Sequence, residues 1–440
     1  MLQAAVNAFR LPDVRKKLLF TFAIIIIYRI AASIPVPYVD AAALKQLLNP
    51  TSGTGTGSGN LFQLLSLFGG GSGSISIVLL GVYPYITAQI SLQILQPVIP
   101  RLQELVQEGG EAGRQRLNQI TRMVTIPLAM LQALGQGALL SSSGVLSNFG
   151  LFDAHTFLPT LQFLITTAAG TMFLIWLGEL ITENGIGNGV SIIIFAGIIA
   201  RLPSLVGSQT ANDITIVLAL AVVSVVIIAA IVFVQQAQRR IPVQYAKRVV
   251  GRRVMQGQST FIPIPVNSAG MIPLIFAISI VTAPYIIASY IRAWAVQGSI
   301  PYNIADWFFN NFAYNSLSPV YWLLYFVLVI SFTYFYTAIQ FQQQKLPETL
   351  QKNGGFIPGY RPGQQTASYL SRVVRRVTFA GALFLGTVAL LPLFGRLILN
   401  TGTNLTISAT ALLIIVGVVI DTMRQLEAQL MMRNYQSFIK

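Results

Sequence analysis

The sequence predicts an all-α polytopic membrane protein with ten transmembrane helices, the second of them preceded by a re-entrant half-helix. Three observations carry that expectation. Of the 440 residues, 54% are hydrophobic and only 9% charged, whereas about a quarter of the residues in a soluble domain are charged. Ten apolar runs, at 18–34, 75–97, 118–140, 157–178, 186–202, 214–234, 270–291, 319–341, 376–397 and 406–423, come close to or exceed membrane-spanning length, which is about 20 helical residues across roughly 30 Å of hydrocarbon. Alternate loops and the two tails hold 23 of the 28 Lys and Arg residues, leaving only Arg29, Lys45, Arg201, Arg292 and Arg396 elsewhere. The positive-inside rule then places both termini in the cytoplasm.

Residues 1–17 form the cytoplasmic N-terminal tail. The first run ends in Pro35-Val36-Pro37 with no small-residue cleavage site, so it reads as a retained span and not as a signal peptide. The glycine-rich segment 51–59 has no following Lys-Ser/Thr, which a phosphate-binding loop requires, and reads as a flexible outer linker. Next comes the half-helix. Leu61, Leu64, Leu65 and Phe68 have helical spacing, but residues 60–68 are too few to cross, and Gly69, Gly70, Gly71 and Gly73 then interrupt the run. A charge-free helix is expected from Ile75, with Val82, Ile86, Gln89, Gln93 and Gln96 on one face. Amides are costly toward lipid, so this face should line a wet cavity narrowed by an apolar collar.

Gly185, Gly187 and Gly189 alternate in a tight cytoplasmic turn, and because both flanks are apolar spans and not strands, a dinucleotide site is excluded. Ile186 and Val190 lie four apart there, a spacing that serves helix packing or lipid contact equally well. Pro84, Pro127, Pro273, Pro284 and Pro392 fall inside spans and point to kinked helices. The span runs group into 18–202 and 214–423, separated by an outer loop at 203–213 and followed by a cytoplasmic tail at 424–440. Two large cytoplasmic loops, 235–267 and 342–375, combine Arg and Lys with Pro and Gly turns and read as basic fingers. Anionic lipid accounts for Arg375 and Arg376 beside a span, while charge held on the turns Gly251-Arg252-Arg253 and Tyr360-Arg361-Pro362-Gly363 suits RNA phosphate or an acidic protein surface. With no cysteine and one histidine, His155 in an outer loop, no thiolate, disulfide or His-based metal site is expected. Nothing resembles an ATP site, so no catalytic residue, cofactor or enzyme activity is expected.

Several stretches carry a family resemblance: the turn GIGNG followed by SIIIFAG, AKRVVGRRVMQGQSTFIPIPVNSAGMIP, GGFIPGYRPGQQTA and LEAQLMMRNYQ. With the ten runs and the half-helix, they resemble the SecY/Sec61-alpha family of pore-forming subunits over nearly the whole chain. The resemblance implies two inverted halves of five spans, hinged between the fifth and sixth, that open across the membrane and sideways into lipid. It assigns a constriction ring to Val82, Ile86, Ile186, Val190, Ile275 and Ile414. It assigns a plug to residues 60–73, represented by Asn60, Leu61, Phe62, Leu64, Leu65, Leu67, Phe68, Gly69 and Gly70. The side gate lies between the second and third spans and the seventh and eighth, with Gln93 and Asn267 at polar positions. Arg252, Arg253 and Arg361 become docking residues for a ribosome and the SecA motor ATPase. Implied partners are the small subunits SecE and SecG, a YidC-type insertase, signal sequences, nascent polypeptides and membrane lipid. The implied location is the bacterial inner membrane, or a thylakoid membrane in a cell that has one.

Two other functions compete on sequence physics. An ion-coupled secondary transporter also uses inverted repeats and broken helices, but it places ionisable groups at the midplane. Here Arg29 is the exception, and Glu179, Glu183, Asp213 and Asp421 fall near span ends. A poreless scaffold or insertase would keep the basic loops, yet it has no use for a plug ahead of an apolar ring.

Overall fold

A computed structural model describes residues 12–39, 75–96, 99–107, 110–142, 145–146, 149–150, 154–210, 214–245, 248–250, 253–255, 259–295, 298–312, 318–344, 346–399 and 409–437. The expected plug, 60–73, and the linker, 51–59, lie outside the described residues.

Helix α1 (Pro12–Ser33) opens with Pro12 and Asp13, a residue preset to helical φ and an anion at the positive end of the helix dipole. It buries Thr21, Ile24, Tyr28 and Ala31 on one stripe. The single helix expected from Ile75 is corrected by the structure. Ser76 forms an antiparallel bridge with Pro35 just after α1, and the N–H groups of Val36 and Ile77 donate to the carbonyls of Ile75 and Ile34, both at 3.0 Å. Gly81 has φ of 58°, a left-handed conformation that no right-handed helix passes through. Helix α2 (Tyr83–Leu95) therefore starts later, with a proline in its first turn. Its 13 residues rise about 20 Å, less than the hydrocarbon thickness.

Helices α3 (Pro100–Gln107), α4 (Gly110–Ser142), α5 (Ala154–Asn184) and α6 (Gly189–Thr210) follow, with α4 packed on α2, α3 and α5. Helix α6 continues through most of the segment expected as an outer loop at 203–213. Pro203 lies within this helix, where a proline removes one upstream hydrogen bond and leaves later turns free to continue. Helix α7 (Ile214–Gln236) leads into the polar region built from the two basic loops.

That region departs from the all-α expectation. Strands β1 (Gln238–Tyr245), β2 (Arg248–Val250), β3 (Arg253–Met255) and β4 (Ser259–Pro265) come from the first basic loop, and β5 (Gly355–Phe356) comes from the second. They form an antiparallel sheet in the order β4-β1-β5 and a separate β2-β3 pair. Ile241 and Val243 point inward from β1 at period two. They share a small core with Ile264, Leu350, Ile357, Leu370 and Val374. The two loops expected as separate fingers are thus one folded unit, because neither has enough apolar side chains to close a core alone.

Helix α8 (Ile272–Trp294) packs on α2 and α4 on one side and on α10 (Pro319–Gln344) on the other. Between α8 and α10 lies α9 (Ile300–Phe312), where the sequence suggested only loop. Helices α11 (Leu346–Lys352), α12 (Gln364–Leu399) and α13 (Ala409–Ser437) complete the chain. Among the described residues, His155–Asn184, Pro319–Lys352 and Gln364–Phe394 are long and apolar enough to cross a membrane. One large hydrophobic cluster joins α1, α2, α5 to α10, α12 and α13.

Candidate functional site

Five of the six ring candidates meet in that large cluster. Val82, Ile86, Ile275 and Ile414 are buried in it, and half-buried Val190 packs against it. They come from α2, α6, α8 and α13, with Val82 standing at the N-cap of α2. Ile186 is also buried, but it packs with Val14 and Leu426 in a separate cluster. It sits in the turn before α6, where its N–H donates to Thr21 Oγ1 at 3.4 Å. Stiff β-branched side chains without polar atoms can exclude water and ions while offering little grip on any particular sequence.

A polar tie flanks the aliphatic group. The Tyr83 hydroxyl, next in sequence to Val82, is hydrogen-bonded to the Ser279 side chain. Ser279 Oγ also donates to the carbonyl of Ile275 at 2.7 Å, one turn earlier on α8. The tie therefore joins α2 to α8 beside two ring candidates. Sequence reasoning missed it, because a tyrosine and a serine far apart in the chain give no signal until α2 and α8 are packed.

The glutamine face expected to line a cavity divides. Gln89 is exposed, Gln93 half-buried and Gln96 buried, so burial along this face increases toward the C-terminal end of α2, which Gln96 caps in helical conformation. Gln93 Oε1 is buried without a hydrogen-bond partner, and so is Asn267 Oδ1. An unmet buried acceptor costs about 1–3 kcal/mol, so both positions favour a state in which a polar group or water reaches them. Asn267 Nδ2 donates to the carbonyl of Gly270 at 3.3 Å. Its backbone lies over Gly381 of α12, where an added Cβ would come within 2.4 Å of the Val266 carbonyl oxygen. Gln93 lies on α2 and Asn267 against α12, and no described interaction joins them. On the α2–α4 wall, Gln132 donates to Thr87 Oγ1 at 3.2 Å, and Arg122 pairs with Glu179 of α5.

In the polar region, Arg361 is exposed on a turn that is held firmly. Tyr360 stacks on Tyr369 at 4.2 Å between centroids, Thr366 Oγ1 donates to the Arg361 carbonyl at 2.8 Å, and Gly359 and Gly363 take positive φ of 87° and 105°. Arg253 opens β3 opposite Val250, while Arg252 lies outside the described residues. The plug candidates Asn60, Leu61, Phe62, Leu64, Leu65, Leu67, Phe68, Gly69 and Gly70 also lie outside them. The sheet adds exposed Arg239 and Arg240, the latter with its guanidinium 4.8 Å from the Phe261 ring centroid. The adjacent cations Arg239-Arg240 at the head of the first basic loop were the sequence signal that could have located these two.

Comparison with known proteins adds a family match. The model of the family described as SecY matches residues 76–423. The chain is 43% identical over 455 residues to the protein translocase subunit SecY of Streptomyces scabiei, covering all of both chains. In shape it is similar to a solved SecY protein whose plug domain stabilises the closed state of the translocation channel, with a TM-score of 0.61, 17% identity and 96% of each chain covered. It is also similar to Sec61 in the canine ribosome-channel complex, with a TM-score of 0.56, 17% identity and the same coverage.

Proposed function

Since the chain belongs to the SecY family, we propose that it is the pore-forming subunit of a protein translocase. It acts as a passive gated channel through which unfolded polypeptides cross the membrane and from which membrane proteins leave sideways into lipid. The observation that carries this reading is the 43% identity over the whole chain to a protein translocase subunit. In this reading α1, α2 with the turns before it, α4 to α8, α10, α12 and α13 are the ten spans, arranged as two inverted halves with both termini in the cytoplasm of a bacterium. Residues 60–73 plug the outer funnel, and the aliphatic side chains of Val82, Ile86, Ile186, Val190, Ile275 and Ile414 form the constriction. Helices α8 and α10 against α2 and α4 form the side gate, with Gln93 and Asn267 near its polar edge. SecE and SecG brace the channel, a YidC-type insertase receives membrane proteins, and SecA or a ribosome docks on the cytoplasmic sheet and the Arg361 turn.

The test is reconstitution of the purified chain with its small subunits in vesicles. Motor-driven import of an unfolded secretory protein, and ion conductance that rises when residues 60–73 are deleted, are the expected results. Gradient-coupled solute uptake without polypeptide import would instead identify a secondary transporter, and insertion without conductance would identify a poreless insertase.

Docking gives a separate expectation. Arg361→Glu should weaken motor or ribosome binding by about tenfold or more, equivalent to at least about 1.4 kcal/mol, while the protein still inserts normally, since an exposed charge contributes little to the fold. Binding measured against added salt should also weaken. Binding unchanged by both the reversal and salt would remove Arg361 from the docking surface.

A further inference from the structure

We infer that α9 lies in the lipid–water interface on the non-cytoplasmic side and holds the outer end of α8 to the bilayer through Ile300, Ile304 and Trp307. This rests on the reading of α8 and α10 as membrane spans. At 100° per residue these three side chains fall on one narrow stripe, and they are 78%, 55% and 51% exposed. A second sector, Ala305, Phe309 and Phe312, turns inward, with Ala305 and Phe312 buried. The third sector is polar: Asn303, Asp306 and Asn310. Asn311 falls within the apolar stripe and is satisfied locally, donating to the Trp307 carbonyl at 2.9 Å and accepting from Ser318 at 3.2 Å. A helix with one face on protein, one apolar and one polar suits a boundary between hydrocarbon and water.

Three further observations select lipid as the occupant of the apolar stripe. The adjoining helices also expose large apolar side chains, among them Ile287 and Ile291 of α8 and Leu323 of α10. Helix α9 joins those two helices directly, so it leaves and rejoins the membrane within a few residues. Its one charged residue, Asp306, faces Arg292 of α8 at 3.4 Å. With no cation on α9, attachment is by apolar insertion, and the amphipathic ring of Trp307 suits headgroup depth.

The stripe is also mounted firmly. Phe309 stacks on Tyr285 of α8 with centroids 4.6 Å apart, and the Arg292 guanidinium sits 4.2 Å from the Phe309 centroid on the same packing face. Lipid contact at α9 is thereby passed to α8.

Because the chain has no cysteine, single Cys variants at 300, 303, 304, 307, 310 and 323 can each carry a nitroxide. The reconstituted complex in phosphatidylcholine vesicles is then read by power-saturation EPR against oxygen, which concentrates in lipid, and a nickel chelate, which stays in water. Labels at 300, 304 and 307 should collide mainly with oxygen, and labels at 303 and 310 with nickel, with no change on adding salt. Nickel contact at 300, 304 and 307 with oxygen contact at 323 would overturn the inference and leave the span reading intact. Shielding of all three from both reagents would mean that a protein covers the stripe, and would also overturn it. Nickel contact at 323 would refute the span reading itself, and the inference with it.

Discussion

Replacing Ile86 and Ile275 together by asparagine should produce a folded, inserted protein that passes ions at rest. Both side chains are buried in the large cluster, so the substitution separates two roles with opposite outcomes. If they only pack a core, new amides there are unsatisfied and cost stability, about 1–3 kcal/mol each. If they form an aliphatic gasket around a pore, the amides hydrate the constriction and the closed state loses its advantage. A resting ion flux raised roughly tenfold needs only about 1.4 kcal/mol taken from that state. The same variant should accept substrates with weaker targeting signals. The measurement is ion flux across reconstituted bilayers at matched protein amounts, with thermal unfolding alongside. A tight bilayer with lowered thermal stability would take both residues out of the ring.

Gly189→Ala should be the most damaging single methyl in the described part of the chain. Helices α5 and α6 approach so closely that an ideal Cβ on Gly189 would lie 1.8 Å from the Gly178 carbonyl oxygen. That obstacle is backbone, which cannot rotate away as a side chain can. The same turn is tied by Gly189 N–H donating to Thr182 Oγ1 at 2.9 Å, while Thr182 Oγ1 donates to the Gly178 carbonyl at 2.9 Å. Separating the helices disturbs both bonds and moves Val190, so the cost should reach or exceed the upper end of overpacking penalties, about 3 kcal/mol. Gly178→Ala is the internal control: its nearest neighbours lie at 3.2 Å and include the Val190 side chain, so it should cost distinctly less. Detergent thermal unfolding of the two variants checks the ranking. Equal stability of both would mean that the helices separate at this crossing without penalty.

The sequence by itself determined the membrane class, the positions of most helices and the family. Each of these rests on information local in the chain: mean hydropathy over about 20 residues and contiguous stretches such as GIGNG and GGFIPGYRPGQQTA. It also named five aliphatic residues that the fold then gathers into one cluster. What it could not decide depended on partners distant in the chain. Residues 75–82 read as helix because they are apolar and uncharged, yet the pairing of Ser76 with Pro35 and the conformation of Gly81 satisfy that backbone in another way. The two basic loops read as separate fingers because nothing local shows that Gly355 and Phe356 will complete a sheet begun by β1. Ile186 and Val190 share a helical spacing, but the turn before α6, bonded to Thr21 of α1, sends Ile186 to a different cluster. Helix α9 and the tie between Tyr83 and Ser279 have the same origin: a short amphipathic helix and a lone hydrogen bond are marginal by themselves, and only packing against α8 gives them a fixed place.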